Sequence, residues 1–242
     1  MTRFPIPELS IVIPAYNEES RIVPTLQQIY DFVGSVLGDF EVIVVDDGST
    51  DRTAELVLAF ASDHPRTRLI SNDRNRGKGY SVRHGALSAQ HKFVLFTDAD
   101  NSTPIQQVEK LAGFVTTRSL VIASRALAGS RLKIKQPWYR TLMGRTFRLI
   151  VQGMVVPGIQ DTQCGFKLAG RDVVDAVFPR MQVEGFAFDV ELIARTLRLG
   201  FDVHEVAVDW ADDPRSSVSP VRDSARMFRD VVKIWWRLRQ QP

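Results

Sequence analysis

Phe93-Val94-Leu95-Phe96-Thr97-Asp98-Ala99-Asp100 reads as a buried strand that stops at two carboxylates. Four apolar or aromatic residues in a row fit a strand covered on both faces. In an open parallel sheet, ligands bind just beyond the carboxyl ends of the strands. Two acids there, flanking one small residue, can place oxygen atoms on a single hard cation such as Mg²⁺ or Mn²⁺. Asp is also common in the turn after a strand. Taken alone, the stretch leaves both readings open.

The segments on either side decide the fold. Leu9–Ile13 is a short β-rich run stopping at Pro14, and a helical pattern from Arg21 to Val36 follows Asn17-Glu18-Glu19-Ser20. Phe40–Val45 is a second buried strand, ending at Asp46-Asp47-Gly48-Ser49-Thr50-Asp51, and a helix then runs to about Ala61. Thr67–Ser71 is a third strand; Gly77-Lys78-Gly79 opens a helix reaching Ala89. After the strand at 93–97, Thr103-Pro104 starts a helix with proline in its first turn, and Leu120–Ala123 is a fifth strand. Strands alternating with helices at this spacing predict βαβ units: an α/β fold with a mostly parallel, Rossmann-like sheet and helices on both faces. Right-handed crossovers then bring the loops holding Asn17, Asp46, Lys78 and Asp98 to one rim.

Beyond Arg125 the pattern changes. Residues 126–136 read as a basic loop. Trp138–Val156 fits an interfacial amphipathic helix, or two short ones broken near Gly153. Asp161–Lys167 reads as a loop entering a strand. Helices at 171–179 and 188–199, a strand at Asp202–Val208 and a last helix at Val221–Arg239 follow. At about 100° per residue, Arg222, Arg226, Arg229, Lys233 and Arg237 form one stripe of that helix, opposite Met227, Phe228, Val231, Ile234, Trp235 and Leu238. A core-packed helix with a solvated basic face and a helix lying on an anionic membrane both fit this pattern. We expect one domain over residues 1–212, with a basic insertion at 125–158 suited to facing a phosphate or a membrane surface. The basic amphipathic helix within 213–242 is expected to pack on the same domain.

Bulk properties agree. The 242 residues carry 44% hydrophobic and 24% charged side chains, enough for a sizeable core and unlike a disordered chain. One cysteine, Cys164, excludes an internal disulfide and fits a reducing compartment. No signal-peptide run and no apolar stretch of about 20 residues is present. The net charge of +3 hides an asymmetry: Leu111–Gln160 holds no acid but contains Arg118, Arg125, Arg131, Lys133, Lys135, Arg140, Arg145 and Arg148. Such a block is either a solvated basic face or a surface for an anionic partner. No nucleic-acid motif is recognisable, so no nucleic-acid partner is expected.

At the rim, Asp46 or Asp47 can accept hydrogen bonds from a base or a ribose. Lys78, between two glycines at a helix N-terminus, can meet a diphosphate together with backbone N–H groups and the helix dipole. Neither a P-loop nor a Gly-x-Gly-x-x-Gly fingerprint is present. A nucleotide diphosphate carrying a divalent cation accounts for all four loops with one ligand. Of the four histidines, His84 is nearest to the motifs and reads as helix surface or support. Asp189 and Glu191 read as caps or surface residues.

Four motifs occur in order: Ile13-Pro14-Ala15-Tyr16-Asn17-Glu18, Val45–Asp51, Asn75-Arg76-Gly77-Lys78-Gly79 and Asp98-Ala99-Asp100. Together they resemble the family 2 glycosyltransferases with the GT-A fold. Asp161-Thr162-Gln163-Cys164-Gly165-Phe166-Lys167 is similar to a motif of dolichyl-phosphate glucose synthases and related polyprenyl-phosphate sugar synthases. The resemblance spans about residues 9–210. It implies that Pro14, Ala15, Tyr16, Glu18, Asp46, Asp47, Lys78, Asp98 and Ala99 bind a nucleotide sugar. It implies that Asp98 and Asp100 hold Mg²⁺ or Mn²⁺, and that Arg125 and Arg140 hold the lipid phosphate. Asp161 and Gln163 would complete the catalytic set with Asp98 and Asp100, on the acceptor side of the sugar. The resemblance would also set Asp189 and Glu191 beside the acceptor side, instead of at a cap or on the surface. Where relatives can place a Gln as a further metal ligand, this chain has Ser102.

The implied activity is inverting transfer of a hexosyl group from a nucleotide-diphosphate sugar to a polyprenyl (dolichyl-type) phosphate. The donor would be a UDP-sugar carrying glucose or an N-acetylhexosamine. Alternatives are a glycan or protein acceptor, or a non-catalytic peripheral membrane module. The expected location is cytoplasmic, peripheral on the inner face of an anionic membrane, with a separate membrane protein as a further candidate partner.

Overall fold

The structure, a computed structural model, describes residues 4–132, 138–211 and 220–240, and side chains throughout these except within 131–145 and 220–225. The strands of the main sheet are β1 (Glu8–Ala15), β2 (Asp39–Asp46), β3 (Thr67–Ser71), β4 (Phe93–Phe96), β5 (Ser119–Ser124), β7 (Lys167–Gly170) and β8 (Asp202–Ala207). Their spatial order is β3-β2-β1-β4-β7-β5-β8. A small parallel pair, β6 (Arg131–Leu132) and β9 (Asp209–Trp210), lies apart. The helices are α1 (Ile22–Val36), α2 (Thr53–Asp63), α3 (Lys78–Ser88), α4 (Val108–Ala112), α5 (Trp138–Met154), α6 (Arg171–Val177), α7 (Phe188–Arg198) and α8 (Pro220–Gln240).

Alternation along the strands divides the core into two layers, as a period of two requires. Ile11 and Ile13 of β1 face one side with Val42 and Val44 of β2; there they meet Leu26, Ile29 and Val33 of α1 and Phe60 of α2. Val12, Ile43 and Val45 face the other side, with Val82 of α3, Leu192 of α7 and Val231, Ile234 and Leu238 of α8. Both faces are therefore covered, as expected of runs this apolar.

Three findings refine the sequence reading. β7 is antiparallel to both neighbours, pairing Phe96 with Lys167 on one side and Ile122 with Lys167 on the other. It therefore begins at the rim where β4 ends, which brings the Asp161–Phe166 loop beside Asp98. The helix expected after Pro104 is only a 3₁₀ turn at Ile105–Gln107 followed by the short α4. α5 runs unbroken through Gly153 and ends at Met154.

Candidate active site

The carboxyl ends of β1, β2 and β4 open into a cavity of about 700 Å³, within the usual range for ligand sites. Pro14, Ala15, Tyr16 and Glu18 from the β1 end line one wall, with Asp47, Asn75, Arg76, Gly77 and Lys78 beside them. Asp98, Ala99 and Asp100 form the floor, while Gly185, Phe186 and four residues of α8 (Arg226, Met227, Arg229 and Asp230) close the far side.

Asp98 accepts a hydrogen-bonded ion pair from the Lys78 ammonium, Nζ to Oδ1 2.5 Å. The neighbouring charges of Asp98, Asp189 and Asp100 outweigh burial and raise the Lys78 pKa, so it stays cationic. Asp100 Oδ1 accepts the Ser102 backbone N–H at 2.9 Å. Burial and the Asp98 charge raise the Asp100 pKa. The Ser102 backbone thus holds the Asp100 carboxylate in place. Glu18 is the third acid of the group. Arg21 grips both of its oxygens at 2.6 and 2.7 Å, yet burial, with the charges of Asp100 and Asp98, raises its pKa. Neighbouring carboxylates, with the Asp98 charge raising the pKa of the other two, are a donor set suited to a hard divalent cation. The residues fit that group through Asp98 and Asp100.

Four N–H groups around the start of α3, those of Arg76, Gly77, Gly79 and Tyr80, are spent inside the protein. Asp47 accepts from Arg76 N–H at 3.0 Å, Gly77 N–H at 2.7 Å and the Asn72 side chain at 2.7 Å. The Glu184 carbonyl accepts from Gly79 and Tyr80 N–H at 2.7 and 3.2 Å. The expectation that backbone donors here meet a diphosphate therefore narrows to Lys78 and the helix dipole. The physical reason is close packing of residues 183–185 on the helix start. Gly77 sits at φ +105°, and a Cβ there would lie 2.5 Å from the Glu184 carbonyl oxygen.

Several expected residues lie off the cavity wall. Asp46 is buried, and its Oδ1 accepts Ser49 N–H at 3.2 Å as a turn-forming contact. Asp161 is buried and bound by Arg125 in a fork, Nε to Oδ2 2.7 Å and Nη2 to Oδ1 2.9 Å, with Arg125 N–H adding a bond at 3.0 Å. Burial would raise its pKa, but the Arg125 charge and hydrogen bonds hold it well below the carboxylate range. Arg125 itself is 29% exposed and lies against the Trp210 ring. Gln163 directs its amide to Met227 of α8, Nε2 to Sδ 3.8 Å. The side chain of Arg140 falls outside the described residues. His84 supports the rim indirectly, with Nδ1 3.0 Å from Asn72 Oδ1. Asp189 and Glu191 stand in the first turn of α7 and are both deeply buried, which excludes a surface position.

Sequence reasoning missed the cavity roles of Arg21, Arg76, Arg226 and Arg229. The spacing of Arg226 and Arg229 on one helix was visible; the wall they form depends on how α8 docks. That docking places two exposed cations across from the acids at the sheet end.

The family model "Glycosyl transferase family 2" matches residues 10–178, well over half of the chain. The chain belongs to glycosyl transferase family 2. Among curated proteins, this family 2 glycosyltransferase is 36% identical to the dolichyl-phosphate beta-glucosyltransferase of Drosophila melanogaster, covering 95% of the chain and 75% of that protein. The enzyme of that name from Dictyostelium discoideum is 34% identical, over 95% and 74%, and that of Homo sapiens 32%, over 98% and 79%. Among solved structures it is similar in fold to glucosyl-3-phosphoglycerate synthase from Mycobacterium tuberculosis in complex with Mn²⁺, UDP and glucosyl-3-phosphoglycerate. That match has a TM-score of 0.71 at 20% identity, over 95% of this chain and 80% of that one. The same synthase with Mg²⁺ and UDP superposes with a TM-score of 0.69 at 18% identity, over 95% and 80%.

Proposed function

We propose that this glycosyltransferase moves glucose from UDP-glucose to a polyprenyl phosphate of the dolichyl type, with inversion at the anomeric carbon. The observation that carries the proposal is the cavity itself: acids at the ends of β1 and β4 face Lys78, Arg226 and Arg229, and the wall bearing those arginines also faces outward as an amphipathic surface. The curated relatives, named for transfer of glucose to dolichyl phosphate, support the choice of sugar and acceptor.

In this reading Pro14, Ala15, Tyr16 and Glu18 bound the nucleoside end of the donor, with Asp47 holding the α3 loop in shape. Asp98 and Asp100 would hold Mg²⁺ or Mn²⁺. Such an ion supplies electrostatic stabilisation of the departing nucleoside diphosphate. Lys78 donates to the same diphosphate once its ammonium leaves Asp98. A phosphate monoester is already anionic near neutral pH, so orientation by cations suffices and no poised histidine is needed. Arg226 and Arg229 line the cavity and are available to that acceptor; Arg125, in so far as its pairing with Asp161 leaves it free to donate, and Arg140 would join them. Asp161 and Gln163 act by position: Asp161 fixes Arg125, and Gln163 reaches α8.

The acceptor is a lipid, so we place the domain as a peripheral protein at an anionic, cytoplasm-facing membrane surface. No helix among the described residues is long and apolar enough to cross a membrane. α8 exposes Phe228, Val232 and Trp236 one turn apart, flanked by exposed Arg229, Lys233 and Arg239, and α5 exposes Leu149. Such a face is suited to the headgroup boundary.

The test is incubation with polyprenyl phosphate, Mn²⁺ and a panel of labelled nucleotide sugars. The expected result is label from UDP-glucose in a lipid-phosphate product. Label reaching only a glycan or protein acceptor, or no transfer to lipid at all, would overturn the proposal.

A further inference from the structure

We infer that Lys167 is a positioning residue for the metal-binding carboxylate, acting on Asp98 through the Cys164 carbonyl and Gly165. This rests on the reading of Asp98 as a cation ligand.

Lys167 lies in the middle of the sheet, in register with Phe96 and Ile122, and its side chain has no exposed surface. A lysine this buried is rare, because desolvating an ammonium costs several kcal/mol unless partners offset it. Filling the space would need only an apolar chain. Its ammonium donates to two oxygens: the Cys164 carbonyl at 2.5 Å and the Asp189 carboxylate. Asp189 is itself buried, so the two charges neutralise each other inside the core.

The Cys164 contact is the informative one. It anchors the peptide that leads into Gly165. A Cβ added to Gly165 would sit 2.1 Å from Asp98 Oδ2 and 2.5 Å from its carboxyl carbon. The Asp98 carboxylate therefore rests directly on the Gly165 α-carbon. In front of it stands the Lys78 ammonium; behind it stands a backbone segment tethered by Lys167. Cys164 is held from its other side as well, with its thiol 3.7 Å from the Thr103 hydroxyl. Chain, tether and carboxylate form one stack, and its last layer carries the ligand oxygens. Loosening the tether lets Gly165 retreat and lets Asp98 follow.

The experiment measures Mn²⁺ binding in the presence of UDP, by electron paramagnetic resonance or calorimetry, and UDP binding without metal. The variants are Lys167→Met with Asp189→Asn, which removes both buried charges together, and Asp189→Asn alone, which keeps the ammonium on the Cys164 carbonyl. The double variant should bind Mn²⁺ at least about tenfold more weakly with metal-free UDP binding unchanged, and Asp189→Asn, whose lost charge also acts on Lys78 and Asp98, should lose clearly less, no more than about threefold. Wild-type Mn²⁺ affinity in the folded double variant would overturn the inference. So would an equal loss in Asp189→Asn, which would assign the effect to the charge pair rather than the tether. Failure of both variants to fold would also overturn it, in favour of a purely structural pair. If the wild-type protein itself bound no Mn²⁺, the metal reading of Asp98 would fall first, and the inference with it.

Discussion

Asp98 meets Lys78 on one side and Gly165 on the other, so its carboxylate has little freedom to move. Asp98→Asn keeps the shape and removes the charge. Transfer should fall by roughly 10²-fold or more, as for loss of other preorganised electrostatic groups, while the circular dichroism spectrum stays unchanged; a steady-state assay at saturating Mn²⁺ checks this. Glu41 makes a different argument. It is buried and accepts from Gln90 N–H at 2.7 Å, Ser10 Oγ at 2.7 Å and Arg68 Nε at 3.1 Å, with His91 also facing it. Burial alone would raise its pKa, but these hydrogen bonds and the Arg68 charge lower it. A lowered carboxylate stabilises the fold above its unfolded pKa, and that contribution is lost as pH falls through the folded value. Denaturant melts of wild type and Glu41→Gln should therefore differ most above about pH 5 and converge in acid. A constant gap down to pH 2.5 would contradict the assignment. At this scale the sequence was informative where chemistry is local to a strand end, as at Asp98 and Asp100. It could not separate Asp46 from Asp47, adjacent acids whose partners come from different loops. Nor could it show that Asp161 and Arg125, 36 positions apart, satisfy each other.

Among the elements, α8 gained most from being seen in place. Its 3.6-residue period was legible, and so was its basic stripe. The period cannot divide an apolar side between two environments. Val231, Ile234 and Leu238 enter the core, whereas Phe228, Val232 and Trp236 remain on the surface next to the cations. The same helix lends Arg226 and Arg229 to the cavity wall. On the proposed function, membrane contact and acceptor capture would thereby be joined in one helix. Replacing Phe228, Val232 and Trp236 together by Ser should abolish co-flotation with anionic liposomes, leaving metal-dependent UDP binding as in wild type. Removing Arg229 and Lys233 should weaken flotation at low salt by about 1 kcal/mol per charge and little at high salt. Unchanged flotation of the triple variant would assign the membrane contact to another surface. β7 was legible as a strand but not as an antiparallel one, because direction within a sheet leaves no periodic mark. Yet that reversal is what sets the Asp161–Lys167 loop against Asp98.

For the whole molecule, the alternation of strands and helices sufficed to foresee a covered, mostly parallel sheet with one functional rim. Closure of that rim by α8 and by residues 183–186 depends on contacts between distant segments, which no local pattern encodes. The resulting cavity crowds Glu18, Asp98 and Asp100 together, and burial with mutual repulsion raises the pKa of Glu18 and Asp100. Holding these acids ionised opposes folding, and a bound cation with its nucleotide relieves that opposition. Ligand binding to the folded state alone stabilises it by RT ln(1 + [L]/Kd), about 2.7 kcal/mol at a hundredfold excess over Kd. For a chain of this size each kcal/mol moves Tm by roughly 2–4 °C. Saturating Mn²⁺ and UDP together should therefore raise Tm by about 5–10 °C, and either alone by less. Asp98→Asn should lose most of the joint increment while retaining the shift produced by UDP alone. Equal shifts in wild type and Asp98→Asn would mean that the ion binds elsewhere, and the acids at the end of β4 would then need another occupant.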